Sequence, residues 1–286
     1  MAIRDDVLAR RWLVGAELTN YRQRSGMRQA PVAKELGVST ALVGHLEQGK
    51  YFPKREQIET MLRCYGASPE EARRLVELVG RPSEQRSWLA RWDDVIAPFT
   101  RKFVGCEGFA SRQFAYAPLV VPGLLQTQAY AAAMTAPSSR VRPDQEKRLV
   151  DLRIARRGRL LDGDLHLTAV IEESVLDRPA GSPETMREQL AYLKQMAERP
   201  NVDVLVMPTS VGRHDGLEGR FVILHFETPD GERQAGPVVY VEIPNDAVYK
   251  TAQDEVAAYT GNAEQMVSTA LSQAESVEAI DARLAG

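Results

Sequence analysis

Cysteine is nearly missing from this chain: Cys64 and Cys106 are the only two in 286 residues, and they lie far apart and outside any CxxC spacing. That excludes a disulfide framework and a thiolate zinc site, and leaves two free thiols as the expectation. No apolar run approaches the ~20 residues that a membrane helix needs. The opening residues Met1-Ala2-Ile3-Arg4-Asp5-Asp6 turn charged at once, without the apolar stretch of a secretory signal. A cytoplasmic protein with no membrane partner is therefore expected. Neither sign of charge dominates, the net being −3. Also absent are GxSxG, HExxH and a glycine-rich phosphate loop. With no nucleophile supplied, the expectation is a protein that is not an enzyme, with no catalytic residue, metal or cofactor.

What remains is the composition of a soluble globular protein, 44% hydrophobic and 26% charged, long enough for two domains. The charge is unevenly spread. Residues 1–80 hold 13 Lys/Arg and 10 Asp/Glu, a net of +3, so the other 206 residues carry −6. A mildly basic head on an acidic body suits a protein that touches a polyanion with one end, although many inert domains carry +3.

Apolar periodicity divides the first 80 residues into five short helices. Val14, Leu18 and Tyr21 form a stripe between Arg11 and Arg24, ended by Ser25-Gly26. A second helix runs from Gln29 to Leu36 and stops at Gly37. Ser39 caps a third, which reaches Gln48 before Gly49. Lys54 to Tyr65 forms a fourth, with Ile58, Met61 and Leu62 on one face, and Ser68-Pro69-Glu70-Glu71 opens a fifth with a capping box. A linker or connecting helix follows over 81–98, with Ser83 to Ile96 as its helical span, and a second domain over 99–286. There, helices are predicted at 105–116, 123–135, 143–161, 183–199 and 252–274. Strands are predicted at Leu165–Ile171, Val202–Met207, Phe221–Phe226 and Val238–Ile243, with a turn at Pro229-Asp230-Gly231. The expected class is α+β: an all-α five-helix N-terminal domain, then a larger mixed α/β domain with a small sheet covered by helices.

The segment from Gln29 to Leu46 carries the functional signal. Two helices crossing steeply through a short turn need a small residue at closest approach, supplied by Ala33, and a residue tolerant of positive φ, supplied by Gly37. Val32, Leu36, Val38, Val43 and Leu46 then point inward, leaving Thr40, Ala41, Gly44 and His45 outside. A mid-helix glycine costs ~1 kcal/mol relative to alanine. Gly44 makes sense if a base edge in the major groove must approach the helix closely. Ser39 and Thr40 can donate to phosphates or read a base, Ala41 can contact a thymine methyl, and His45 can reach a phosphate or a guanine. The bland alternative is a helical hairpin that only packs, polar outside because water is there. A generic hairpin seldom places small, glycine and apolar residues at all these offsets.

Residues 11–65 resemble the Xre/Cro-type helix-turn-helix domain, down to the closing Leu46-Glu47-Gln48-Gly49. The resemblance implies that Gln29 contacts the phosphate backbone and that Ser39, Thr40, Ala41, Gly44 and His45 face the major groove. Two departures stand out. Arg28 replaces the usual Ser/Thr cap of the second helix, and Pro31 sits in its first turn. Arg28 can instead grip a phosphate. Lys50, Lys54 and Arg55, with Arg22 and Arg24, are each a solvated charge when taken singly, but as a cluster they become phosphate candidates. Double-stranded DNA is thus the expected partner, nucleoid association the expected location, and a homodimer the expected state, because one short helix reads too few bases for a genomic address.

The second half offers thinner chemistry. Val121-Pro122-Gly123-Leu124-Leu125-Gln126-Thr127-Gln128-Ala129-Tyr130 is a turn feeding a helix. Lys147, Arg148, Arg153, Arg156, Arg157 and Arg159 make the next helix basic, either for an anion or for ion pairs with the acidic body. Glu172 and Glu173 follow a strand end, but neighbours on an extended chain point to opposite sides, so capping or ion pairing is the better reading than acid–base work. His214 in Arg213-His214-Asp215-Gly216 invites a catalytic reading, which a deep pocket lined by His214, Glu173 and an arginine would keep alive. The Val-Pro-Gly-Leu-Leu-Gln-Thr core before Tyr130, the Arg-rich helix, Glu173, Pro208 through Gly212-x-His214, Gly219-x-Phe221 and Val239-Tyr240-Val241-Glu242 together resemble the domain that follows the helix-turn-helix in WhiJ-like regulators of actinomycetes. That resemblance implies a developmental or secondary-metabolism regulator, here expected to be a repressor, controlled by a ligand or by a small BldB-like protein partner. Some such pairs resemble antitoxin–toxin modules, which keeps an antitoxin-like interaction protein as the alternative. For a small-molecule ligand or the partner, the candidate residues are Gln126, Tyr130, Arg153, Glu173, His214, Phe221 and Tyr240.

Overall fold

The computed structural model describes residues 6–80, 87–136, 141–228 and 230–285. Five helices come first: α1 Val7–Arg24, α2 Gln29–Leu36, α3 Thr40–Glu47, α4 Arg55–Cys64 and α5 Pro69–Gly80. Asp6 caps α1 by accepting from the Ala9 N–H at 2.9 Å. At α5 the reciprocal box forms, with the Ser68 N–H donating to Glu71 at 2.7 Å and the Glu71 N–H to the Ser68 hydroxyl at 3.2 Å. Val14, Leu18, Val32, Val43, Ile58, Met61 and Leu62 are fully buried between these helices.

Of the connecting helix expected over Ser83 to Ile96, residues 81–86 lie outside the described ones. The rest is a single 3-10 turn, Trp88–Trp92, opened by Ser87. The second domain begins with α6 Pro98–Glu107 and β1 Arg112–Ala117. This overturns the helix expected at 105–116. Residues 113–117 of β1 are buried on both sides, so the strand carries no polar–apolar alternation to betray it. Next come α7 Gln128–Thr135, α8 Glu146–Arg156, α9 Gly158–Asp162, β2 His166–Glu172, α10 Glu173–Asp177, α11 Pro183–Ala197 and β3 Val202–Met207. The chain then forms β4 Phe221–Glu227, β5 Arg233–Ile243 and β6 Asp246–Lys250, and closes with α12 Gln253–Thr269 and α13 Gln273–Ala285. The helix expected over 252–274 is thus two helices broken at Ala270, and that expected over 143–161 breaks at Arg157.

The six strands make one open sheet in the order β3-β2-β1-β4-β5-β6. The β3-β2-β1 half is parallel and the β1-β4-β5-β6 half antiparallel. An α+β class with an N-terminal helical region is therefore what the chain adopts. One sheet face packs on α12 through Phe114, Tyr116, Val170, Ile223 and Met266. The other faces α6, α8, α11 and α13, and its apolar cluster runs unbroken into the N-terminal helices, joining Leu13 and Leu18 to Val104, Leu124 and Ile280. Among the described residues no helix is long and apolar enough to cross a membrane.

Candidate nucleic-acid interface

Two glycines fix the crossing of α2 and α3. Gly37 adopts φ 64, ψ 31, and the Gly37 and Val38 N–H groups donate back to the Lys34 and Ala33 carbonyls at 3.2 and 3.0 Å. Ser39 is extended and accepts from the Leu42 N–H at 3.2 Å, starting α3. Gly49, at φ 65, lets the chain leave α3 directly against α1: a Cβ there would lie 2.6 Å from the Trp12 Cα. Gly15 of α1 is as close from the other side, where a Cβ would lie 2.6 Å from the Glu47 carbonyl oxygen.

A buried carboxylate ties the unit together. Glu47, 6% exposed, accepts from Arg22 Nε at 2.7 Å, from Gln29 Nε2 at 2.7 Å and from the Tyr65 hydroxyl at 3.3 Å. The ends of α1, α2 and α4 therefore converge on the last residue of α3. The Glu47 hydrogen bond raises the affinity of Arg22 for its proton, and burial pushes the Tyr65 phenol up.

This hub changes three sequence-based assignments. Arg22, grouped in the sequence with the phosphate candidates, is held by Glu47. Gln29 gives its side-chain amide to Glu47, so its side chain is engaged and only its main-chain N–H stays available at the start of α2. Gly44 is buried, with the Gln29 side chain 3.5 Å from where its Cβ would sit. The close approach that the glycine permits is made, within the protein, by Gln29. Conversely, Ser39, Thr40 and Ala41 are exposed, His45 is half-buried, and Arg28, Lys50, Lys54 and Arg55 stand exposed around them. The exposed edge is therefore the first turn of α3 rather than its whole outer face. Arg28 makes no side-chain cap, and Arg55 pairs with Glu59 at 2.9 Å in a solvated i,i+4 contact. Sequence reasoning missed Tyr51, which is 56% exposed and stands edge-on to His45 at 5.9 Å. The aromatic pair Tyr51-Phe52 between Lys50 and Lys54 was the available signal.

The candidate ligand residues of the second half are dispersed. Gln126, Arg153 and Tyr240 line one cavity of about 410 Å³, bounded by α6, α8 and the sheet. Phe221 borders it, but its ring lies on the opposite sheet face, 5.0 Å from Tyr259, because successive strand residues alternate. Tyr130 is buried and its hydroxyl accepts from the Val121 N–H at 3.3 Å, a structural role. Glu173 accepts from Thr209 at 2.9 Å and from Arg283 at 3.0 Å, and these donors hold its carboxyl below the usual range. His214 meets Glu172 at 3.1 Å, beside the Tyr116 hydroxyl that donates to the same oxygen at 2.7 Å. The two glutamates do point apart: Glu173 lines a shallow cavity with Arg178 and Arg283 that does not include His214, which lies with Glu172 instead. Among the described residues no group of His, Cys, Asp and Glu could hold a metal, and both cysteines are free thiols.

Comparison with known families fits this division. A helix-turn-helix domain model matches residues 13–75. A model described as a domain of unknown function (DUF5753) matches residues 100–282. No curated protein and no solved structure gave a significant match.

Proposed function

The chain belongs to the DUF5753 family and carries a helix-turn-helix domain ahead of it, and on that premise we propose that it is a cytoplasmic, nucleoid-associated regulator that binds a specific DNA site. The observation that carries the reading is the bare first turn of α3. Ser39, Thr40 and Ala41 are open to solvent and ringed by the exposed cations Arg28, Lys50, Lys54 and Arg55. Thr40 and Ala41 read bases with His45 and Tyr51 beside them, while Arg28, the Gln29 main-chain N–H, Lys50, Lys54 and Arg55 hold phosphates. Two copies bind a paired site, and the bound dimer represses by occlusion. In this reading residues 1–80 read DNA, 81–98 connect, and 99–286 sense a small molecule or a BldB-like protein, as in the WhiJ-like regulators. The antitoxin-like alternative draws on one feature, the exposed Ile243 and Val248 beside the β6 edge of the sheet, an apolar strip that a small protein could cover.

A gel-shift on the gene's own upstream region, with and without the product of any small neighbouring gene, tests this. Thr40→Ala with His45→Ala is expected to weaken specific binding more than non-specific binding. Lys54→Ala with Arg55→Ala is expected to weaken both and to flatten the salt dependence by about one to two counterions. Equal loss on all sequences from the first pair would remove Thr40 and His45 from the reading face.

A further inference from the structure

The cavity between α6, α8 and the sheet holds a cation, Arg153, that makes no ion pair among the described residues, Glu242 acting on it only at longer range while paired to Arg220. Its volume of about 410 Å³ falls within the range of roughly 300–1,000 Å³ usual for small-molecule sites. Three arginines line it. Arg156 is held by Glu107 through two contacts of 2.7 Å, and Arg220 by Glu242 at 2.6 Å. Arg153 has no carboxylate within ion-pair distance among the described residues. Its Nη1 donates to Gln126 at 2.8 Å, and no described residue bonds its Nε or Nη2. Gln126 is itself fixed, buried and donating to the Val121 carbonyl at 2.8 Å. Burial, reinforced by Arg156, pulls the Arg153 guanidinium down to about 10, which still leaves it charged at neutral pH. The free Nε/Nη2 edge of a fixed guanidinium matches a planar carboxylate. Much of the remaining lining is apolar, with Phe103 and Leu152 buried and Leu119 and Met134 exposed at 56% and 40%, while Thr100, Gln113, Thr135 and the Arg220-bound Glu242 supply its polar part.

The same cavity touches the helix-turn-helix. Phe99, Thr100 and Phe103 of α6 line it, while Gly105 of the same helix lies so close to α1 that a Cβ would sit 2.6 Å from the Ala9 Cβ. Phe103 stacks on Tyr240 at 4.2 Å, Tyr240 meets Tyr249 at 5.3 Å, and Tyr249 meets Trp12 of α1 at 5.2 Å. Trp12 in turn packs against Gly49, where α3 ends.

We infer that this cavity binds a small carboxylate with an apolar body, its carboxylate on Arg153, and that its occupancy shifts α1 and α3 through α6 and the Tyr240–Tyr249–Trp12 contacts. The binding limb stands by itself; the coupling limb rests on the DNA-binding reading. Calorimetry of the full chain with decanoate, 1-decanol and decylammonium tests the first. Decanoate is expected to bind once per chain and at least about tenfold tighter than the other two, and Arg153→Met is expected to weaken it about ten- to a hundredfold. Gln126→Glu, which neutralises Arg153 in place, is expected to abolish the preference even if Arg153→Met does not fold. Equal affinity for the three probes, or decanoate binding untouched by both variants, overturns the site. For the coupling, Trp88→Phe with Trp92→Phe leaves Trp12 as the sole tryptophan. Saturating decanoate is expected to change its emission and to move affinity for the upstream DNA by about fivefold or more. In the otherwise native chain, Trp12→Phe should remove the emission change. Decanoate bound with neither change overturns the coupling, whereas decanoate bound by a chain that ignores DNA keeps the site and sinks the DNA-binding reading.

Discussion

In the N-terminal helices the buried carboxylate Glu47 gathers Arg22, Gln29 and Tyr65 and leaves the first turn of α3 bare to water. In the C-terminal domain Glu107 takes Arg156 and Glu242 takes Arg220, and the group left over, Arg153, lines a cavity inside the fold. Both halves pair most of their interior charge, and each keeps a small set of polar groups unpaired. The difference is where that set lies. A surface edge suits a ligand far larger than the protein, whose phosphates supply the counter-charge. An internal cation suits a ligand small enough to enter. In the interior pairing matters as much as exposure, because a buried guanidinium already held by a carboxylate offers little to a second anion, whereas a solvated pair such as Arg55–Glu59 is readily exchanged.

Glu47→Gln should break this contrast most. It takes the counter-charge from the partly buried Arg22 and weakens the buried junction of Arg22, Gln29 and Tyr65, and is expected to destabilise the protein by about 3 kcal/mol, read as a lower urea midpoint, while DNA affinity falls with the folded fraction. Gly15→Ala comes next. Its methyl has no room against the main chain at the end of α3, which should cost about 2 kcal/mol and disturb α3 while touching no residue of the C-terminal cavity, whose affinity for decanoate then moves only through the coupling. Denaturation followed with and without decanoate separates the two effects. Gly44→Ala sharpens the comparison from the other side. The Gln29 side chain sits at ordinary contact distance, so the substitution should stabilise α3 by about 0.5–1 kcal/mol and leave DNA affinity nearly unchanged. A tenfold loss would return Gly44 to the groove. The smallest effect belongs to His225, whose pKa is lowered by burial and then by Arg112. A depressed histidine leaves stability intact above its unfolded value and erodes it as the pH falls below that value toward the folded one. His225→Gln should therefore flatten the loss of stability between pH 7 and pH 5, measured by urea midpoints.

Much of the N-terminal region could be read directly because its signals are local. Gly37, Ser39, Gly49 and the box at Ser68 and Glu71 each act within four residues, and the apolar stripes of α1 and α4 repeat at 3.6. Reading failed where a residue's neighbour was distant in sequence. The contacts of Gln29 and Gly44 inside the protein went unread, because Glu47 could not be known to reach back eighteen residues to Gln29. In the second half, β2, β3 and β4 were evident from Val/Ile/Leu runs. β1 was mistaken for helix because it is buried on both sides, and β6 passed unnoticed as a five-residue edge strand.

The sequence alone determined the elements whose instructions are short-range: the two-helix turn, its caps and the apolar faces that bury. Only the tertiary structure decided which polar groups are taken and which are left. Whether an arginine is a strut or a receptor depends on the carboxylate that folding brings within 3 Å of it. Glu107 reaches Arg156 across 49 residues, and among the described residues no carboxylate comes within ion-pair distance of Arg153 three positions earlier, a distinction that neither spacing nor composition encodes.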